Sequence, residues 1–362
     1  MMKVLFIAPL PPPMTGNSLA AKTLFDYLNI NHNVEIIHLR KDSFVQGFNS
    51  INRLLQIGNV LKDVWRKNQG ADVIYLSISQ SPAGNLRDVL IYLICYKKLE
   101  KTIIHLFGGA GMKSIVDKNG IQYKLNRFFF RQLKGAIVEG QIQASTLSKL
   151  MPSKIIHIVP NFAEDYLFVS EKEIINKFSN KSPLKILFLS NMLFGKGHNE
   201  LVDAYISLKD DKKEKVEIIF VGEFESENHK DRFLKRIDEH KGLVYYGNFV
   251  SGKKKKALYS KSHIFCLPTY FPYEGQPISI LEAYATGCVV ITTNHSGIPD
   301  IFCDKVNGFE VLKKSVNSLK LVIEEIIKNN DSLVETAISN RNVAYNKYRT
   351  SIYNTSLTNV II

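Results

Sequence analysis

Short apolar runs, closed by proline, glycine or charge, recur along the chain. They alternate with stretches whose apolar positions return every three or four residues. Residues 3–8 (KVLFIA) form the first such run and end at a proline cluster, as a strand buried on both faces does. Further runs fall at 34–39, 72–77 (DVIYLS) and 102–106 (TIIHL), with shorter ones at 136–139 and 155–159. Gly16 and Asn17 read as loop, with Ser18 capping a helix over 19–28. Helical periodicity fills 51–67, 86–99, 121–133 and 141–150. The alternation then restarts, with strands at 185–190 (KILFLS), 217–221 (EIIFV), 243–246, 264–267 and 289–292 (VVIT). Helices fit 197–208, 228–240, 253–260, 277–286 and 315–329, and the tail 333–362 is mostly helical in pattern. Alternating strands and helices predict an α/β fold with parallel sheets. The restart predicts two Rossmann-like halves, and the polar stretch 162–183, without a clear strand, reads as the linker.

Length supports the same division, since 362 residues exceed one ordinary domain. At 45% hydrophobic and 22% charged, the composition suits packed cores and excludes disordered or collagen-like chains. Cys95, Cys266, Cys288 and Cys303 lie far apart with no CxxC pair, which fits a reducing compartment and neither a zinc nor a redox motif. The longest continuous apolar stretch, 89–96 (VLIYLICY), is too short to span a bilayer, and the N-terminus lacks a signal-peptide pattern. A cytoplasmic protein is expected.

Charge is unevenly spread. Residues 1–160 hold 20 Lys+Arg and 9 Asp+Glu, a balance of +11, which leaves +2 of the total +13 for residues 161–362. Such asymmetry points to nucleic acid, an anionic membrane or a phosphorylated ligand. No zinc-finger spacing, RNP motif or basic zipper supports nucleic acid. In 124–134 (KLNRFFFRQLK), Lys124, Arg127, Arg131 and Lys134 recur at three, four and three residues, with Phe128, Phe129 and Leu133 largely off that stripe. The pattern fits an interfacial helix, with cations toward lipid phosphates, or an ordinary helix with core phenylalanines and a solvated basic face. Lys253 to Lys256 reads as a solvated helix start.

The densest chemistry lies in 271–287 (FPYEGQPISILEAYATG). Gly275 lets backbone approach a ligand, and Pro277 suits the first turn of a helix, where its missing N–H costs nothing. The N–H groups there, with the helix dipole, suit a diphosphate. Glu274 precedes the helix and Glu282 lies within it, so either carboxylate could accept from sugar hydroxyls. Simple acid enrichment at a helix start is the plainer reading.

Glu274 to Glu282 resembles the E-x7-E motif of the retaining GT-B glycosyltransferases of family 4. Ser190-Asn191-Met192 with Lys196-Gly197-His198 resembles that family's strand-end segment, whose lysine binds the donor diphosphate. Val159-Pro160-Asn161 resembles its domain-joining element, and Ile298-Pro299-Asp300 and Asn307-Gly308-Phe309 its segments after E-x7-E. The loop from Ala8-Pro9 to Gly16-Asn17, and His105-Leu106-Phe107-Gly108-Gly109, resemble N-terminal motifs of members that build surface polysaccharides such as capsule or O-antigen. Two positions depart from the family: Asn191 stands where arginine is common, and Phe107 replaces a second histidine.

The resemblance implies a GT-B fold, two doubly wound Rossmann-like domains facing each other across a cleft. Residues 1–165 would take the acceptor, 166–340 the donor, and 341–362 would be a helical tail packing back on the N-terminal domain. It implies Lys196, Glu274 and His105 as catalytic. Lys196 would neutralise the leaving diphosphate, Glu274 would hold the sugar hydroxyls and Glu282 the ribose. Gly275, Gln276 and Pro277 would support sugar and phosphates, with Asn191 beside them. Gly16 and Asn17 would close over the phosphates, and Asn248 and Val250 would frame the base. The donor would be a nucleotide diphospho-sugar, with UDP as the expected nucleotide. The acceptor would be a glycan, lipid-linked on polyprenyl diphosphate, met in peripheral contact with the anionic inner membrane. No cofactor, metal or nucleic acid is expected. A nucleotide-sugar epimerase of the same fold, or a catalytically degenerate homologue acting as an assembly partner, are the alternatives. Gly108-Gly109-Ala110-Gly111 lies outside the first βα turn and is a weak dinucleotide fingerprint.

Overall fold

The computed structural model describes residues 1–39, 50–79, 81–179, 183–329 and 332–362. Two contact units emerge: Met1–Asn161 with Ser351–Ile362, and Phe162–Thr350.

The first unit alternates β1 (Lys3–Ala8), α1 (Gly16–Asn31), β2 (Asn33–His38), α2 (Ser50–Lys67), β3 (Val73–Ser77), α3 (Pro82–Ile94) and β4 (Thr102–Leu106). It continues through α4 (Ala110–Lys118), α5 (Ile121–Phe130), β5 (Gly135–Val138), α6 (Gln141–Leu147) and β6 (Ile156–Ile158). The strands form a parallel sheet in the order β2-β1-β3-β4-β5-β6. The middle strands β3, β4 and β5 are buried along their whole length, which is why they read as mainly apolar runs.

The second unit runs α7 (Glu171–Ser179), β7 (Leu184–Leu189), α8 (His198–Ile206), α9 (Asp210–Lys213), β8 (Val216–Val221), α10 (Glu227–Asp238), β9 (Leu243–Gly247) and α11 (Gly252–Lys261). Then come β10 (Ile264–Leu267), α12 (Ile278–Ala285), β11 (Val289–Thr293), β12 (Gly308–Val311), α13 (Val316–Lys328) and α14 (Leu333–Lys347). Its sheet is also parallel, in the order β12-β11-β10-β7-β8-β9. The last helix, α15 (Thr350–Ile361), lies almost wholly in the first unit, where Tyr353, Leu357 and Ile361 are buried.

Several local expectations are corrected. Gly16 and Asn17 are not loop but the first turn of α1. Thr15 is its N-cap, and the Thr15 and Ser18 side chains cap each other's backbone N–H groups. The stretch 162–183 is no plain linker: α7 buries Ile174 and Phe178 within it, while 180–182 lie outside the described residues. Edge strand β12 and helix α4 carry patterns too short or too mixed to announce themselves. In α5, Phe129 and Leu133 just beyond it turn into the core, and only Phe128 of the three off-stripe residues faces outward.

Candidate active site

Strand order fixes where a ligand site belongs. In the second unit the chain winds outward from β7 through β8 to β9, then returns to lay β10 on the other side of β7. The loops leaving β7 and β10 therefore diverge at a topological switch point, the usual ligand position of open α/β sheets. The β7 loop carries Asn191 and Lys196, and the β10 loop carries Glu274, Gly275, Gln276 and Pro277.

These loops are locked together by backbone. Tyr270 N–H donates to the Gly195 carbonyl at 2.7 Å. Gly197 sits at φ +89°, and a Cβ there would lie 2.5 Å from the Pro268 carbonyl oxygen, so no other residue fits without displacement. Behind them, Ser296 Oγ donates to the Glu274 carbonyl at 2.6 Å, and His295 Nε2 lies 2.8 Å from the Phe271 carbonyl.

The result is a buried ion pair. Lys196 Nζ donates to both Glu274 carboxylate oxygens, at 2.9 and 2.8 Å, and lies 4.9 Å from the Phe271 ring centroid. Thr269 Oγ1 donates to Glu274 Oε2 at 2.8 Å. The two side chains retain only 12% and 8% of their exposure, so a cation and a well-fixed acceptor are held at the strand ends.

Glu282 is not brought to that pair. It lies within α12, where Lys255 Nζ donates to Oε1 at 2.6 Å and Tyr259 O–H to Oε2 at 3.1 Å. Lys255 also reaches Glu164 Oε2 at 2.8 Å. Burial opposes the Lys255 charge, but Glu282 and Glu164 outweigh it and hold its pKa above the ordinary lysine value. Lys255 thus corrects the reading of 253–256 as a solvated start: on α11 it points inward with Leu258 and Tyr259. Spacing carried the signal, since 255, 258 and 259 share one helix face.

The remaining candidates are dispersed. Pro277 is the N-cap of α12 and not its first turn, so the helix begins at Ile278. Gln276 is buried, and Asn191 is half-buried beyond β7. Asn248 follows edge strand β9, accepting from Tyr245 O–H, and Val250 is in the core. In the first unit, Gly16 and Asn17 open α1 after β1, at that sheet's own switch point between β1 and β3. His105 is fully buried in β4, with Nδ1 2.7 Å from Tyr75 Oη and its ring stacked on Phe107 at 3.9 Å. Burial pushes its pKa down to about 3, and among the described residues its Nε2 has no hydrogen-bond partner. A neutral imidazole without exposed surface does not present itself as an acid or base.

The profile of the family described as Glycosyl transferases group 1 matches residues 169–348. An uncharacterized glycosyltransferase of Methanocaldococcus jannaschii, MJ1069, is 24% identical over 253 residues, 64% of this chain and 60% of that protein. A putative colanic acid biosynthesis glycosyltransferase of Escherichia coli, WcaL, is 26% identical over 143 residues, covering 38% of this chain and 34% of that protein. The chain thus spans at most 60% of the length of these relatives. Among solved structures, Anabaena HepE in complex with UDP and glucose superposes with TM-score 0.72 at 14% identity, over 100% of this chain and 99% of that one. WaaG, a glycosyltransferase involved in lipopolysaccharide biosynthesis, superposes with TM-score 0.67 at 14% identity, over 99% of this chain and 98% of that one. These likenesses identify the GT-B fold.

Proposed function

From the match of residues 169–348 to the group 1 glycosyltransferases, we propose that this chain moves a sugar from a nucleotide diphospho-sugar to an acceptor hydroxyl with retention of configuration. The observation that carries the proposal is the Lys196–Glu274 pair at the β7/β10 switch point. A donor diphosphate, more highly charged than a carboxylate, competes for the Lys196 ammonium. Glu274 is then released toward the sugar hydroxyls, still held by Thr269. Glu282 keeps lone pairs beyond those used by Lys255 and Tyr259, and accepts from the ribose hydroxyls.

The bond between sugar C1 and the diphosphate oxygen breaks, and its electron pair leaves with the nucleoside diphosphate. The acceptor oxygen bonds to C1 on the same face, and its proton passes to the departing phosphate. Negative charge grows on that phosphate, where Lys196 and the N–H groups opening α12 are fixed in advance. No metal of the protein's own is required, because a side-chain cation already stands at the leaving group.

UDP is the proposed nucleotide, in keeping with HepE, whose complex holds UDP and glucose. Relatives named for colanic acid and lipopolysaccharide biosynthesis support a surface-polysaccharide acceptor, carried on polyprenyl diphosphate and met from the cytoplasm at an anionic membrane. The test is turnover across a panel of nucleotide-sugars, with product anomers read by NMR. Glu274→Gln and Lys196→Met are expected to lower kcat at least ~100-fold, as losses of transition-state contacts do. Wild-type turnover in both variants, or activity abolished by chelator and restored by manganese, contradicts the assignment.

A further inference from the structure

Helix α3 is unusual for its position. It lies in a helical layer with α2 on one side and α5 on the other, so one face should meet the sheet and the opposite face water. Its inner residues Val89, Ile91 and Tyr92 are buried, and Asn85 is tied to Asn126 of α5 through reciprocal side-chain amide bonds of 3.0 and 2.9 Å. Yet the outer face, at spacings of four and three, is Leu86, Leu90 and Leu93, exposed at 52%, 42% and 54%. Tyr96 extends this stripe past the helix and stacks on Phe128 of α5, their centroids 6.3 Å apart and planes 8° from parallel, and both rings are exposed. A helix apolar on both faces has a second partner.

Charge selects that partner. Residues 82–134 hold ten Lys/Arg (87, 97, 98, 101, 113, 118, 124, 127, 131, 134) and three Asp/Glu (88, 100, 117), a balance of +7. Of the three acids, Asp88 is buried and bound by Arg87 at 2.6 Å. Lys97, the next position on the leucine stripe, is exposed, as are Lys124 and Arg127 on α5 and Arg131 at its C-terminal end. A second copy of this chain would bring the same positive surface against itself. An anionic bilayer offers phosphates to the rim and acyl chains to the stripe.

We propose that the outer face of α3, completed by Tyr96 and Phe128 and rimmed by Lys97, Lys124, Arg127 and Arg131, is the surface by which this protein docks on an anionic lipid bilayer. The proposal deepens and rests on the membrane-borne acceptor inferred above. It relocates the apolar contact from the phenylalanine run to α3, with α5 supplying mainly charge.

The full chain is sedimented with vesicles of phosphatidylethanolamine and phosphatidylglycerol, and with vesicles of phosphatidylcholine alone. Binding is expected to the first, weakening as salt rises, and not to the second. Leu90→Glu with Leu93→Glu, and separately Arg127→Glu with Arg131→Glu, should each reduce partitioning roughly tenfold or more. Their melting temperatures and donor-sugar hydrolysis should stay at wild-type values. Binding unchanged by the leucine pair overturns the α3 assignment and leaves the membrane reading standing. No wild-type binding, with sugar transfer to a soluble acceptor intact, overturns the membrane reading and leaves the transferase standing. Equal binding to both vesicle types, or a dimer in sedimentation velocity that the leucine pair dissolves, overturns the choice of an anionic bilayer.

Discussion

Lys196 and Glu274 hold each other in a pairing that the proposed chemistry exchanges for contacts with the donor. A buried pair recovers little net stability, yet removing one partner strands the other charge at a cost of about 3–5 kcal/mol. Lys196→Met should therefore lower the melting temperature markedly, because among the described residues Glu274 then keeps only Thr269 as a side-chain donor. The double variant Lys196→Met/Glu274→Gln should recover most of that loss while remaining inactive. Thermal melts of the three proteins beside turnover separate the two effects; a double variant as unstable as the single removes the unpaired charge as the cause. Two histidines add a pH dependence of another kind. Burial lowers the pKa of His105 to about 3, and burial, with His229 and Arg236 nearby, does the same to His198. In the unfolded chain both titrate near 6.5, so below that pH the unfolded state binds the extra protons. Their contribution is full above pH 6.5 and is lost progressively down to about pH 3. Acid melts of His198→Gln should show a shallower decline than wild type, and an identical slope would remove His198 from the account.

At the scale of elements, what was legible in the chain follows burial. Strands such as β4 and β10 are covered on both faces, and each appears as a mainly apolar run with its ends where expected. Edge strand β12, Gly308–Val311, is buried only at its two ends, and its four residues offer no such run. Helix α7 was hidden by charge, since only Ile174 and Phe178 face the core. The E-x7-E segment was legible because strand, loop and helix follow in order. Its wiring was not: which acid meets which cation depends on α11 crossing α12, a contact between residues 27 apart. That crossing puts Lys255 between Glu164 and Glu282. If the pair orients Glu282 toward ribose in ground and transition states alike, Lys255→Met should raise KM for the donor roughly tenfold and leave kcat nearly unchanged. Isothermal titration with UDP should show the same loss. A fall in kcat with KM unchanged would assign Lys255 to the reacting centre instead.

For the whole molecule, connectivity and packing part ways at the C-terminus. The chain completes the second unit through α14, then gives its last helix to the first unit, whose other residues end at Asn161. There Lys134 Nζ donates to the Ile361 carbonyl at 2.8 Å, and Tyr353, Leu357 and Ile361 are buried. Three large side chains at about 1.5–3 kcal/mol each make several kcal/mol, a large share of ordinary domain stability. Truncation after Thr350 should therefore lower the calorimetric transition of the first unit. The second unit keeps its own core and the Lys196–Glu274 loops, so its transition should stay in place. UDP at about one hundred times its Kd should still raise that second transition by about 2.7 kcal/mol of linkage. A truncated chain whose second transition falls, or no longer responds to UDP, would mean that nucleotide binding requires the first unit with its terminal helix in place.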